Sequence, residues 1–337
     1  MIYYLPNQLL QDKPVKSTGL YSFPVGVVKG LESKLLKPRD FKKIADEPLA
    51  SVIPFLKNYF PLLEDSISIT SINRFVLGSR KSLYQLLYKI LPEQFLINLF
   101  FLPDDFHNLK VELKRLIFNV NTEKLYHQGM GMLKNGILTL DSPVELKTAF
   151  TKSYEIYRET NNLQQAEIVL DREYLLLSLK LARNSNSKVI TSYYEKYVYL
   201  QDLLTILRGK KWELPLTIVE SGLASTGYSS RQLKDIWSGK VSVINALRKY
   251  GVKEDLKDGL LHITEVEKYI SMHLWDFIYS YRFKVDLNME TVFVYLKLWE
   301  NQLNIVKSIL LGKTIDLSAD KIKGLGSYEG RKIYYIR

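Results

Sequence analysis

The sequence predicts an all-α fold, and three observations carry that reading. Glycine and proline are sparse, at 17 and 11 of 337 residues. Apolar residues recur every three or four positions over long stretches, a spacing that draws one stripe down a helix. Few windows show the alternation of valine, isoleucine and threonine that a half-buried strand requires.

Along the chain, the first helix start is Lys37-Pro38-Arg39-Asp40. Its proline stands at the first helical position, where a missing N–H is harmless, and its acid can accept from the cap's amide. Ser142-Pro143-Val144-Glu145 adds an N-cap serine to the same arrangement. Periodicity then marks helices around Leu163 to Ala182 and Tyr193 to Leu207. Ser229-Ser230-Arg231-Gln232 and Thr264 with Glu267 supply two further capping boxes. The clearest helix runs from about Met289 to Leu311, roughly 35 Å at 1.5 Å per residue. Phe293, Leu296, Trp299, Leu303, Val306 and Leu310 form its stripe.

Lysine and arginine number 47 against 36 aspartates and glutamates, a formal charge of +11. That balance suits nucleic acid, an anionic membrane surface or an acidic protein partner. The absence of cysteine excludes a disulfide framework, a thiolate nucleophile and a thiolate zinc site, and fits a reducing compartment. No basic stretch, apolar core and cleavage site of a secretory signal stand at the N-terminus. The most apolar run, residues 95–102, is much shorter than the roughly 20 residues of a membrane helix, and Pro103-Asp104-Asp105 ends it. The chain reads as soluble and cytoplasmic.

The length alone suits about two domains or a short array of smaller units. Repeated blocks decide for the array. Phe41-Lys42-Lys43-Ile44, Leu146-Lys147-Thr148-Ala149 and Leu233-Lys234-Asp235-Ile236 follow three of the helix starts. Ile72-Asn73-Arg74-Phe75, Leu170-Asp171-Arg172-Glu173 and Val266-Glu267-Lys268-Tyr269 form a second set. A third aligns Asn108, Asp202 and Ile305, with spacings of 94 and 103, and its last two copies continue as Ile206-Leu207-Arg208-Gly209-Lys210 and Ile309-Leu310-Leu311-Gly312-Lys313. The same order recurs three times, so the chain reads as three helical units of about 100 residues. These are residues 25–127, 128–220 and 221–337, the last with a basic tail, after an extension over residues 1–24.

Chemistry is sparse. None of His107, His127, His262 and His273 is spaced i, i+4 from another, so no helical zinc pair is expected. Gly312-Lys313-Thr314 resembles the end of a phosphate loop, but Lys307 occupies the required glycine position and no strand precedes it. Gly209-Lys210 fails likewise at Leu204. Both glycines suit helix C-termini followed by a lysine that favours the dipole. Gln128-Gly129-Met130-Gly131-Met132 lacks the context of a dinucleotide fingerprint and reads as a hinge or loop between units. Acidic pairs such as Asp104-Asp105 read as solvated helix-start features. No catalytic residue, cofactor or metal is expected. The 23 tyrosines could stack on nucleic acid, yet Tyr193, Tyr194, Tyr197 and Tyr199 fall at helical spacing, the pattern of core packing.

The blocks together resemble the C subunit of the V-type (A/V-type) ATPase, the relative of the eukaryotic d subunit. Asp105-Phe106-His107-Asn108-Leu109-Lys110 is similar to that family's polar signature. Tyr295 to Glu300 with Ile309 to Lys313 resembles its last long helix, and Val27 to Phe41 its opening helix and turn. Tyr199, Asp202, Gln302 and Ile305 depart from the signature. The resemblance implies three similar helical domains in a pseudo-threefold, funnel-like arrangement. It also implies a non-catalytic rotor part, one copy per complex, between a shaft made of the D and F subunits and the membrane proteolipid ring, with no nucleic acid bound. Lys110, Arg208, Lys210 and Lys313 are the candidate partner contacts. A basic helical nucleic-acid-binding protein or a general helical scaffold is the alternative.

Overall fold

A computed structural model of the chain describes residues 19–224, 230–239, 245, 263–284 and 287–327. Most of the expected N-terminal extension and of the basic tail lies outside these residues, as do Ser229 and His262. Among the described residues every regular element is helical and none is a strand. The helices are α1 (Ser22–Glu32), α2 (Pro38–Asp46), α3 (Leu49–Lys57), α4 (Ile69–Ile90), α5 (Phe95–Phe118), α6 (Val144–Thr160), α7 (Leu163–Asn184), α8 (Lys188–Lys211), α9 (Leu216–Ser221), α10 (Ser230–Trp237), α11 (Ile263–Tyr281), α12 (Met289–Thr314) and α13 (Ala319–Ser327).

The chain groups into two compact units, one of residues 93–267 and one of residues 17–92 with 268–337. In the first, α7 packs against α5, α6, α8 and α9. In the second, α12 packs against α1, α2, α4 and α13. This grouping divides residues 25–127, which the repeat blocks treat as one stretch, at residue 93.

The predicted stripe of α12 lies inside its unit. Phe293, Leu296, Leu303, Val306 and Leu310 are buried, and Trp299 is partly so. Val292, Val294, Leu298, Ile305 and Ile309 on the other faces are buried as well, because helices surround α12 rather than flank it. Asn288 caps the helix by accepting from the N–H groups of Glu290 and Thr291 at 3.1 and 3.3 Å. Among the apolar residues sits Gln302, whose Oε1 accepts from the buried N–H of Leu36 at 2.7 Å. Gln302→Leu leaves that N–H unpaired, and urea unfolding is expected to show a loss of about 1–3 kcal/mol.

One helix start forms as expected; another does not, and Thr264, expected as a cap, lies inside α11. At α2, Asp40 Oδ2 accepts from the N–H of Lys37 at 2.7 Å. At α6, Pro143 is itself the cap, which places Ser142 one residue too early to reach the first-turn amides. Ser142 Oγ accepts instead from the N–H of Thr139 at 2.8 Å. Nor does Pro103 stop the apolar run as a helix: it lies within α5, which continues to Phe118.

Candidate functional site

The third repeat block falls on α5, α8 and α12, and the last two of these helices end alike. At α8, Leu214 N–H reaches the Gly209 carbonyl at 2.9 Å and Glu213 N–H the Lys210 carbonyl at 3.3 Å. At α12, Leu317 reaches Gly312 at 2.9 Å and Asp316 reaches Lys313 at 3.3 Å. Each is a Schellman closure, with Glu213 (φ 52°) or Asp316 (φ 53°) in the left-handed region. Helix α5 also ends on a left-handed residue, Asn119 (φ 50°). Positions 119, 213 and 316 are 94 and 103 apart, the spacings of the repeat block itself. Before each stands a large apolar residue in solvent: Phe118, Trp212 and Ile315, 56, 56 and 61% exposed.

The Gly-Lys pairs belong to these helix ends. The glycine carbonyls accept the long-range cap bonds, and Gly209 has a second task. A Cβ there would overlap Val219 Cγ2 on α9, so the bare Cα is what lets α9 cross α8 closely.

The polar signature lies inside the helices. Asp104 and Asp105 are buried, with Asp105 0% exposed, which corrects their reading as solvated helix-start residues. Both lie midway along α5 and take up groups from the loop that follows. Asp105 Oδ1 accepts from the N–H groups of Met132 and Leu133, each at 2.9 Å, and Oδ2 shares the Met132 N–H. Asn108 donates to the His127 carbonyl at 3.1 Å and accepts from the His127 N–H at 2.8 Å. Asp104 Oδ1 lies 2.8 Å from His127 Nδ1. The imidazoles of His107 and His127 stack with centroids 4.0 Å apart, and His107 Nε2 bonds the Leu125 carbonyl at 3.0 Å. The stretch 128–132 is therefore a loop laced onto α5, not a free hinge. Its Gly131 (φ 75°) has no room for a Cβ against the Asp105 carboxylate.

Burial pushes the Asp105 carboxyl up to about 7, against the lowering effect of the Met132 and Leu133 amides. Burial likewise holds His107 below the ordinary imidazole value. Farther along α5, Glu112 is held below the usual carboxylate range by its bonds from the Arg115 guanidinium, with Tyr126 Oη donating as well. On α8, Asp202 Oδ1 accepts from the buried N–H of Ala224 at 2.9 Å. With Gln302 on α12, each of the three long helices thus uses a buried polar side chain to pin a main-chain N–H distant in sequence. That is mechanical work, and it commits these groups to holding loops.

The sequence missed this role, although a local signal existed. Asp105 is flanked at helical spacing by Phe101, Leu102 and Leu109, so it sits on an apolar face where an acid requires internal donors.

The four marked basic residues have separate environments. Lys110 Nζ pairs with Asp171 on α7 at 2.6 Å. Arg208 Nη2 pairs with Glu267 on α11 at 2.6 Å. Lys313 Nζ donates to the carbonyls of Ala45 and Glu47 at 3.0 and 2.5 Å, capping the end of α2, and burial lowers its pKa. Lys210 is exposed and has no ion pair among the described residues; its ammonium lies 3.8 Å from where a Cβ on Gly239 would stand. No helix among the described residues is long and apolar enough to cross a membrane.

Comparison with known proteins gives two findings. Residues 24–325 match the ATP synthase (C/AC39) subunit family. Over 109 residues the chain is 32% identical to the C subunit of the A-type ATP synthase of Thermoplasma acidophilum, a segment covering 31% of this chain and 30% of that protein. The chain thus aligns with less than a third of that relative's length.

Proposed function

We propose that this chain, which belongs to the ATP synthase (C/AC39) subunit family, is the non-catalytic central-stalk part of a V/A-type ATPase. The observation that carries the reading is the family match over residues 24–325. In this role the chain joins a shaft made of the D and F subunits to the proteolipid ring at the cytoplasmic face of the membrane. One copy per complex transmits torque for ATP-coupled proton or sodium transport. The three repeats, residues 25–127, 128–220 and 221–337, are part of the proposal; the recurrence of the long-helix ends at 94 and 103 residues supports them.

The local physics suits transmission of force. A coupling part must resist deformation, and long helices surrounded by packed neighbours do so. The buried pins fix loops to those helices without a flexible surface contact. In the unit of residues 17–92 with 268–337, the half-buried Glu300 joins Lys297 at 3.0 Å and Arg80 at 3.3 Å, tying α12 to α4. Burial opposes its charge, but Lys297 and Arg80 outweigh it and hold the carboxyl below its usual range.

The test is reconstitution of the full chain with the D–F shaft and with the proteolipid ring, each separately, beside deletion of the chain in cells. Binding to both, with loss of ATP-driven ion pumping on deletion, is expected. Binding to neither, with pumping intact after deletion, overturns the reading.

A further inference from the structure

We infer that the exposed end of α8, Lys210-Lys211-Trp212, docks onto an acidic segment of another protein chain that also brings an apolar side chain to cover the indole. The inference rests on the rotor reading and deepens it by assigning a surface and the chemistry of what sits there.

Trp212 is a large ring left 56% exposed, and the turn does not need it there. In a Schellman closure the apolar contact is made by the residue after the left-handed position, here Leu214, against the preceding helical turn. Trp212 stands two residues earlier, where a small polar residue would close the helix equally well. The same choice recurs with Phe118 and Ile315 at the spacings of the repeat. Recurrence of an exposed apolar residue just before a left-handed residue at a helix end is not what random surface composition gives. Exposed tryptophan is also the residue type that most often carries binding energy once a partner covers it.

Charge identifies the partner. Lys210 and Lys211 are both exposed, and neither has an ion pair among the described residues. Of the other basic residues marked in the repeats, Arg208, Lys110 and Lys313 are committed to Glu267, to Asp171 and to main-chain carbonyls. The helix dipole accounts for lysines at this end but not for the exposed indole that follows them. Two exposed lysines followed at once by an exposed indole fit carboxylates together with an aliphatic or aromatic side chain. A phosphate backbone fits poorly, since it asks for an extended array of cations, and this turn exposes Glu213 with Glu220 close behind in sequence.

The experiment uses the full chain within the ATPase complex purified from its own membranes. Treatment with a zero-length carbodiimide, followed by peptide mass spectrometry, is expected to join Lys210 or Lys211 to an aspartate or glutamate of another protein of the complex. Lys210→Glu and Trp212→Ser are each expected to raise the fraction of the chain lost in a salt wash by about tenfold, the effect of about 1.4 kcal/mol of binding. Lys188→Glu, an equal charge reversal at the other end of α8, is expected to behave as wild type. Thermal melts of the isolated chains check that each variant folds; should Trp212→Ser fail to fold, Lys210→Glu and the cross-link decide.

The inference is overturned if Lys210 and Lys211 acetylate equally in the free chain and in the complex, or if folded variants stay bound as wild type does. It is also overturned if the same three residues prove necessary for retaining a labelled duplex or single strand. Absence of the wild-type chain from the complex overturns the rotor reading and this one together. Retention of wild type and variants alike overturns this one alone.

Discussion

Stability of the wild-type protein is expected to fall as pH rises from about 4 to about 7 through the Asp105 contribution, and Asp105→Asn is expected to remove that part of the slope. Burial raises the Asp105 carboxyl from 3.8 to about 7 in the folded chain, against its two amide donors and with help from the neighbouring Asp104. Between those values the folded protein holds a proton that the unfolded chain has released. The resulting stabilisation is complete below the unfolded value and is lost as pH passes the folded one. A shift of about three units at 1.36 kcal/mol each sets a ceiling of roughly 4 kcal/mol.

Asparagine suits the comparison because Oδ1 carries bonds from both Met132 and Leu133, and the amide oxygen can keep both without a charge. Other groups move differently. His107, held low, adds stability as pH rises through the ordinary imidazole value. Glu112 and Glu300, also held low, lose their contribution only as pH falls below the carboxylate range. Subtracting the two urea-unfolding curves cancels these contributions. The margin of Asp105→Asn over wild type should widen between about pH 5 and pH 8; parallel curves would show that Asp105 does not titrate there.

Local physics explains which features could be seen in the sequence. Helices α7, α8 and α12 were legible because their apolar spacing is a property of the helix itself. The left-handed residues at 119, 213 and 316 fall on the spacings of the third repeat block. Hidden were the features whose cause lies far along the chain. Asp105 depends on amides 27 and 28 residues later, and Gln302 on an amide 266 residues earlier. No local window carries such a partner: the apolar flank of Asp105 shows that an internal donor is needed, and only the folded loop shows which. The basic residues show the same limit: position marked four of them, but only tertiary structure separates Lys110, Arg208 and Lys313, which have structural partners, from the exposed Lys210.

Gly209→Ala is expected to destabilise the unit of residues 93–267 even though alanine is the better helix former by about 1 kcal/mol. The added methyl would overlap Val219 Cγ2. Val219 is buried and β-branched on a short helix, so it cannot turn the methyl aside without leaving its favoured rotamer. Overpacking of this kind costs about 1–3 kcal/mol, and the cap bonds from Leu214 and Glu213 lie in the same turn, so a displaced α9 strains the helix end as well. The second variant decides the cause. Val219→Ala removes Cγ2 and leaves its Cβ 3.5 Å from the new methyl, an ordinary contact. On its own it opens a small cavity; combined with Gly209→Ala, the methyl enters the space vacated. The double variant should therefore be more stable than the sum of the singles allows, with a coupling of about 1–3 kcal/mol in urea melts. Additive losses would mean that Val219 Cγ2 is not what excludes the methyl. Because the same turn carries Trp212, the overpacked single variant should also release more readily from the ATPase complex, and the double variant should recover retention with stability.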